Sequence, residues 1–547
     1  MEYPAEWFGS QGEFEGLFFM IRFFRNLTLL LCLASGPALV VWVLSTEITA
    51  LLWLVLAGAV LWPSLLMLWF LAFGRSQFPT RLKRTGLFFG VVIALGCVGA
   101  LLLRYDGSAS GASLPKFTWR WTEKVAEVVP ANELSPVVWS KNKAPISAAA
   151  DSAQFLGPTR DGVWPKLNFS PDWKSHPPKE IWRRPMGLGW SGFSVVGSRA
   201  VTQEQFGEVE CVICYDLFTG RQLWVHRDDD TGYFYAGKKH KVAAMGGAGP
   251  RSTPTIYKGK IYTQGAAGIV NCLDLESGRV IWTGNPVSDH RGKLPVWGQS
   301  TAPLVIEEPG VVVVSCSEKP GATLVALDLE SGEPVWTYAG RGASYSSPRL
   351  LTIFGKRQIV SVNARDLSGV DPASGGELWH YDWPGSNPKV GQPVLINKSR
   401  ILATASYGVG SPLIEIKRAG EKWTAIEKWK SIKMKTKFSS VVVRKGYAYG
   451  MDEGRLACID LAKGDRVWKK QKFGFGQQLL IGGDYLLIQA EPGFVVIGKI
   501  NPQGFFETGR IEALSSMTWN TPTLAGRLLL LRNDREAVCF LLPPKTD

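Results

Sequence analysis

The chain has 547 residues, 46 % hydrophobic and 20 % charged, with 59 glycines and 22 tryptophans. That length exceeds one ordinary compact domain unless much of it is a repeat array, and the composition excludes a disordered, low-complexity protein. The net charge is +14, and residues 1–104 hold seven Lys/Arg against five Asp/Glu, which leaves about +12 on the remainder. Many glycines with many aromatics point to short β-strands more than to helices.

The first hundred residues carry three apolar stretches, at about 27–45, 48–73 and 86–103. Roughly 20 helical residues cross a bilayer core of about 30 Å, so each is long enough to span. Pro37 and Pro63 are compatible with this, because neighbouring helices satisfy the freed backbone groups. A cleaved signal peptide fits badly, since three spans follow one another. The connection GRSQFPTRLKRT carries Arg75, Arg81, Lys83 and Arg84 with no acid, which predicts a cytoplasmic loop. Arg22 and Arg25 agree with an inside N-terminus. The expectation is a membrane domain over 1–104, with three helices in the lipid bilayer of the inner (cytoplasmic) membrane. Everything after Tyr105 then lies on the periplasmic side. Residues 105–150 read as a linker: DGSASGASLP and KNKAPISAAADS are small and polar, with an amphiphilic WRWTEKVAEVV between them.

From 151 onward one string recurs. It stands as CYDLFTGRQLW at 214–224, CLDLESGRVIW at 272–282, ALDLESGEPVW at 326–336, GVDPASGGELW at 369–379 and CIDLAKGDRVW at 458–468. In each copy an aspartate (Asp216, Asp274, Asp328, Asp371, Asp460) can accept a hydrogen bond from the backbone just ahead and start a turn. A glycine (Gly220, Gly278, Gly332, Gly375, Gly464) takes the positive-φ position that closes the turn. A tryptophan (Trp224, Trp282, Trp336, Trp379, Trp468) then lies in the returning strand. The string is a β-hairpin, and these residues are its turn and docking elements.

Each hairpin follows further strand-like segments that open on Ser/Thr and Pro, as in RSTPTIY at 251 and WNTPTL at 519. With Trp182 and Trp429, the closing aromatics are spaced by 39 to 58 residues, which suits four strands per unit. Units 392–429 and 477–507 are degenerate. The C-terminal TPTLAGRLLLLRNDREAVCFLL supplies three strands, and KEIWRRP near 182 supplies the fourth if the N-terminal strand closes a ring. The predicted fold is all-β: an eight-bladed β-propeller of four-stranded antiparallel blades over 151–547, preceded by an α-helical membrane domain.

The repeat resembles that of quinoprotein-type propellers, which include PQQ-dependent alcohol and glucose dehydrogenases and the outer-membrane assembly lipoprotein BamB. QFLGPTRDGVW (154–164), GGAGPRSTPT (246–255) and YSSPRLLTIFGKRQIV (345–360) look like bacterial PQQ-binding-like repeat proteins. The resemblance implies the fold over roughly 151–547. One propeller hosts many functions, so it leaves activity open. Membrane-bound glucose dehydrogenase pairs N-terminal spans with a propeller, which makes a quinone-linked, PQQ- and calcium-dependent dehydrogenase of alcohols or sugars the alternative reading. Against it, the chain has neither the adjacent Cys-Cys pair of the alcohol dehydrogenases nor a CxxCH haem signature. None of the family's calcium ligands is carried over.

No catalytic residue and no metal site is nominated. Cys211 and Cys214 lie three apart in a strand, about 10 Å between Cα atoms, beyond disulfide reach. Cys214, Cys272 and Cys458 share one repeat position with Ala326 and Gly369, which marks small core residues. The segments opening the units bring Arg251, Trp297, Gln299, Tyr345, Gln392, Lys437, Gln477, Gln478, Trp519 and Asn520 to comparable places at the channel mouth. This aromatic, amide and cationic set, without a carboxylate, suits a polar or anionic ligand. The other reading is that it satisfies strand ends around a water-filled channel. In KWKSIKMKTKF (428–438), Lys433, Lys435 and Lys437 alternate as a strand's lysine row, for an anionic polymer or an envelope protein, or against edge aggregation. Nucleic acid is not an expected partner. The function expected is binding or scaffolding in the cell envelope.

Overall fold

The computed structural model describes residues 26–29, 52–74, 76–108, 110–111, 115–122, 138–139, 150–229, 231–233, 246–385 and 388–545. The chain divides into two compact units: Met1–Asp106 with Ala112–Thr122, and Gly107–Gly111 with Glu123–Asp547.

In the first unit, helix Leu52–Phe73 contains Pro63, and helix Phe78–Leu102 follows after a short connection. The second helix begins eight residues before the expected Gly86, because Pro79 in its first turn has a helix-ready φ and no N–H to leave orphaned. Arg81, Lys83 and Arg84 therefore stand on helix, not in a loop. The Arg81 guanidinium donates to Leu71 O at 2.7 Å and Ala72 O at 2.8 Å, capping carbonyls at the end of the preceding helix. Leu87, Ile93, Leu95 and Leu101 are exposed along Phe78–Leu102. This is the one helix among the described residues that is long and apolar enough to cross a membrane; the apolar stretch Leu61–Phe73 is shorter. The described residues thus show a membrane-spanning helix region with one qualifying helix, while Leu52–Phe73 is helical over 22 residues and fully described only from Leu61. Most of the stretch at 27–45 lies outside the described residues. Within the stretch read as linker, Leu103–Ser108 and Pro115–Trp119 form a two-stranded sheet.

The second unit is the eight-bladed propeller. Blades 1 to 6 (194–228, 255–284, 304–340, 349–382, 394–431 and 442–472) are four-stranded and antiparallel. Blade 7 (477–512) gains an additional strand, Val163–Trp164, parallel to Leu480 and Ile481. Blade 8 closes the ring: strand Glu536–Leu541 near the C-terminus pairs antiparallel with Lys179–Pro185, Val538 facing Arg183 and Cys539 facing Trp182. Trp139 adds a short strand beside Trp182.

The repeated string is built as follows. The Asp216 carboxylate accepts from Thr219 N at 2.9 Å and Thr219 Oγ1 at 2.7 Å, and Asp274 does the same with Ser277. Gly278, at φ +69°, closes the turn, and a Cβ there would lie 2.4 Å from the Trp224 ring of the preceding blade. Trp224 Nε1 then donates to Leu275 O at 3.0 Å. The arrangement recurs for Trp182 on Gly220, Trp282 on Gly332, Trp336 on Gly375 and Trp429 on Gly464. Across its own blade each tryptophan faces the small repeat position: Cys214 opposite Trp224, Cys272 opposite Trp282, Ala326 opposite Trp336, Cys458 opposite Trp468. A larger residue there would collide with the indole. The cysteines are buried free thiols, and burial pushes Cys214 and Cys458 up to about 12.

Candidate functional site

Residues 152–164, which include QFLGPTRDGVW, run along the inner strands of the ring. Ser152 bridges Val195 of blade 1, and Ala153 O accepts from Ile256 N of blade 2. The Arg160 guanidinium donates to Ala302 O and Pro303 O at 3.0 Å, where blade 3 begins, and to Pro348 O at 3.4 Å, where blade 4 begins. Gly162 O accepts from Leu480 N of blade 7. A segment this short meets five blades only by crossing their common axis. At this level polypeptide bridges the inner strand ends of the blades, and burial lowers Arg160 to about 9.

The residues nominated for the channel mouth fall into three groups. Gln299, Gln392, Gln478 and Asn520 are buried and committed to main-chain groups. Gln299 donates to Cys316 O, Gln392 to Val390 O at 3.3 Å, Gln478 to Tyr449 O at 2.8 Å, and Asn520 to Ser191 O at 2.8 Å. These amides lace strand ends together. Arg251, Trp297 and Tyr345 form a second group. The Arg251 guanidinium donates to Gly246 O, Gly247 O and Gly249 O, and burial lowers it to about 10. Trp297 meets Tyr345 edge to face at 5.8 Å.

The third group is Lys437, Gln477 and Trp519. Gln477 Nε2 donates to Phe438 O at 2.8 Å and Trp519 O at 2.9 Å. The Trp519 ring lies 4.8 Å from Phe438 and 4.6 Å from Trp190. Beside Trp519 sits Glu491, a carboxylate absent from the expected set, buried in the turn between strands Tyr485–Gln489 and Phe494–Asn501. It accepts from Trp519 Nε1 at 2.7 Å, from Phe475 N at 3.3 Å and from Gly111 N at 2.5 Å. The Lys437 ammonium lies 4.5 Å from the Tyr407 ring centroid, 4.9 Å from Phe475 and 5.8 Å from Phe438, and donates to Gly111 O. Burial lowers the Lys437 pKa, against the opposing pull of Glu453 and Glu491. Neither Glu491 nor Gly111 had a motif to announce it.

This placement also corrects the lysine row. Strand Lys422–Ser431 ends before it, so Lys433, Lys435 and Lys437 do not alternate on a strand. Met434 and Lys437 are buried while Ile432 is exposed, because the loop turns inward to build the aromatic cage.

A PQQ–calcium centre needs six to eight oxygen ligands around the ion. Among the described residues no group of three or more His, Cys, Asp or Glu is placed to hold a metal. Glu491, the carboxylate at the collar, already accepts three N–H groups.

Residues 210–470 match the family described as outer membrane protein assembly factor BamB. A quinohemoprotein alcohol dehydrogenase, ADH-IIG of Pseudomonas putida, is 29 % identical over 157 residues, covering 26 % of this chain and 21 % of that protein. The chain thus spans about a fifth of that curated relative. Among solved structures, the ADHIIG enzyme of Pseudomonas putida HK5 superposes with TM-score 0.51 at 12 % identity, covering 74 % of this chain and 81 % of that one. BamB from Moraxella catarrhalis gives TM-score 0.47 at 14 % identity, with 68 % and 99 % covered. The inner-membrane, multi-pass placement is corrected: the family matching residues 210–470 is described by an outer-membrane assembly factor. In repeat and blade architecture the propeller is similar to the PQQ-binding, BamB-like β-propellers, whose family model matches residues 210–470, and the chain carries a membrane-spanning helix region.

Proposed function

We propose that the protein is a membrane-associated binding module whose recognition face is the aromatic collar around Lys437, Glu491 and Trp519. One observation carries the reading: the buried ammonium and carboxylate of the collar engage the main chain of a polypeptide segment, at Gly111. A polar ligand with both a donor and an acceptor suits that pair. The loop turning inward at Met434 and Lys437 aligns the ammonium with three rings, which stabilises a desolvated cation.

A second reading, a PQQ-dependent dehydrogenase, is supported by the comparisons, because a sequence relative and a solved structure above TM-score 0.5 are both quinohemoprotein alcohol dehydrogenases. The deciding experiment titrates the full chain in detergent with PQQ and Ca²⁺, follows the cofactor's absorbance, and assays dye reduction with alcohols and sugars. The binding-module reading expects no stoichiometric uptake at concentrations well above micromolar. Uptake with substrate-dependent reduction would replace it with the dehydrogenase.

A further inference from the structure

Gly111 meets the propeller through its main chain alone. Its N–H donates to Glu491 Oε1 at 2.5 Å and its carbonyl accepts from Lys437 Nζ, partners 380 and 326 residues away. Glu491 and Lys437 are 7 % and 4 % exposed, so both bonds are charge-assisted and shielded from water. A Cβ on residue 111 would lie 2.5 Å from Phe475 Cδ2 and 2.8 Å from Phe438 Cε2. Its backbone is outside the left-handed region, so the demand for glycine is steric, imposed by the two rings.

The cradle is held together by its own blades. Trp519 Nε1 and Phe475 N orient the Glu491 carboxylate, and Gln477 ties Phe438 to Trp519. The aromatic cage fixes Lys437. None of these contacts uses residue 111. A site organised without its occupant can exchange that occupant for another of the same chemistry.

From this geometry we infer that the collar is a peptide-backbone site selective for glycine, filled in cis by Gly111 and open to a glycine-centred segment of a partner polypeptide when the cis segment leaves. The inference rests on the binding-module reading and names the chemistry of its partner. The recognition elements are the Glu491 carboxylate for the peptide N–H, the Lys437 ammonium for the carbonyl, and Phe438 with Phe475 as the gauge that rejects a side chain. The cis segment acts at an effective concentration on the order of millimolar, so it competes against weak trans ligands and holds the site closed to them.

The test uses the full chain in detergent and a fluorescein-labelled peptide with the sequence DGSASGASL of residues 106–114. Anisotropy should show weak binding to the wild type and about tenfold or tighter binding to Gly111→Val, which vacates the cradle. The same peptide carrying Gly111→Val should bind neither protein. Adding Glu491→Gln to the vacated variant should weaken binding again, by about tenfold. A folded Gly111→Val protein that binds the peptide no better than wild type overturns the inference, as does equal binding of the valine peptide. A second measurement serves if that variant does not fold. Glu491→Gln alone should speed hydrogen exchange of the Gly111 amide at least several-fold, and unchanged exchange overturns the inference. Peptide failure without PQQ uptake sinks only the glycine site, whereas PQQ uptake with dye reduction sinks the binding-module reading itself.

Discussion

The seam between blades 3 and 4 and the seam between blades 4 and 5 solve one packing problem in two ways. At the first, Trp336 reaches across to lie on Gly375, and its Nε1 donates to Pro372 O at 3.0 Å. At the second, Trp379 has no such glycine to rest on, because blade 5 lacks the Asp-x-x-Thr-Gly turn and runs straight through strands Ser411–Ala419 and Lys422–Ser431. Trp379 folds back over Gly369 of its own blade and donates to Gln358 Oε1 at 2.7 Å. The repeated string is therefore a device between blades as much as a turn within one. When the receiving turn is lost, the donor blade compensates by emptying the position opposite its tryptophan, where Cys or Ala stands elsewhere.

The largest effect is expected from Gly278→Val. It adds a left-handed β-branched residue and a side chain starting 2.4 Å from Trp224. We expect about 3–5 kcal/mol of destabilisation, read as the denaturant midpoint of the full chain in detergent. A loss under about 1 kcal/mol would mean the docking glycine is not needed.

The seam between blades 1 and 2 is also fastened by Glu210, whose carboxyl meets Ala266 N at 3.0 Å. Burial, with Asp228 nearby, raises its pKa to about 8. The folded state then keeps a proton that the unfolded chain releases. The contribution is complete below the unfolded value near 4.5 and is lost as pH rises through about 8. Thermal midpoints should fall across that window in the wild type, by a few kcal/mol of stability. Glu210→Gln should flatten the profile, and an equal slope in both proteins would contradict the assignment.

Gly369→Ala sharpens the contrast more gently. A Cβ there lies 2.2 Å from Trp379 Nε1, and the cost should be about 1–3 kcal/mol. Blade 3 already carries Ala326 at this position, so Cys272→Ala in blade 2 should cost less. Equal costs would show that Trp379 is free to swing outward. The smallest effect belongs to Asp274→Ala, which removes two turn hydrogen bonds to Ser277 at about 0.5–1.5 kcal/mol.

Much of this fold is legible in the chain because its information is local. The Asp-x-x-Thr-Gly turn, the Trp that follows and the spacing between copies all lie within one unit, and the count to eight with KEIWRRP closing the ring follows from them. The site was legible only in part. Lys437, Gln477 and Trp519 were reached through their shared place before an inner strand, and the structure brings them together. Their company was not: Glu491 sits in an ordinary tight turn, and Gly111 in a stretch that reads as a tether.

Local pattern in the chain is enough to show that a four-stranded unit repeats eight times and that an apolar helix precedes it. Turn chemistry and strand alternation act between residues a few positions apart, so they leave a written pattern. Tertiary structure alone decided that Arg160 threads the axis, that Trp379 turns inward, and that a carboxylate and an ammonium converge on Gly111. Those contacts join different blades or residues hundreds of positions apart, or depend on a turn the neighbouring blade has lost. Their energies come from burial and geometry that exist only once the ring has closed.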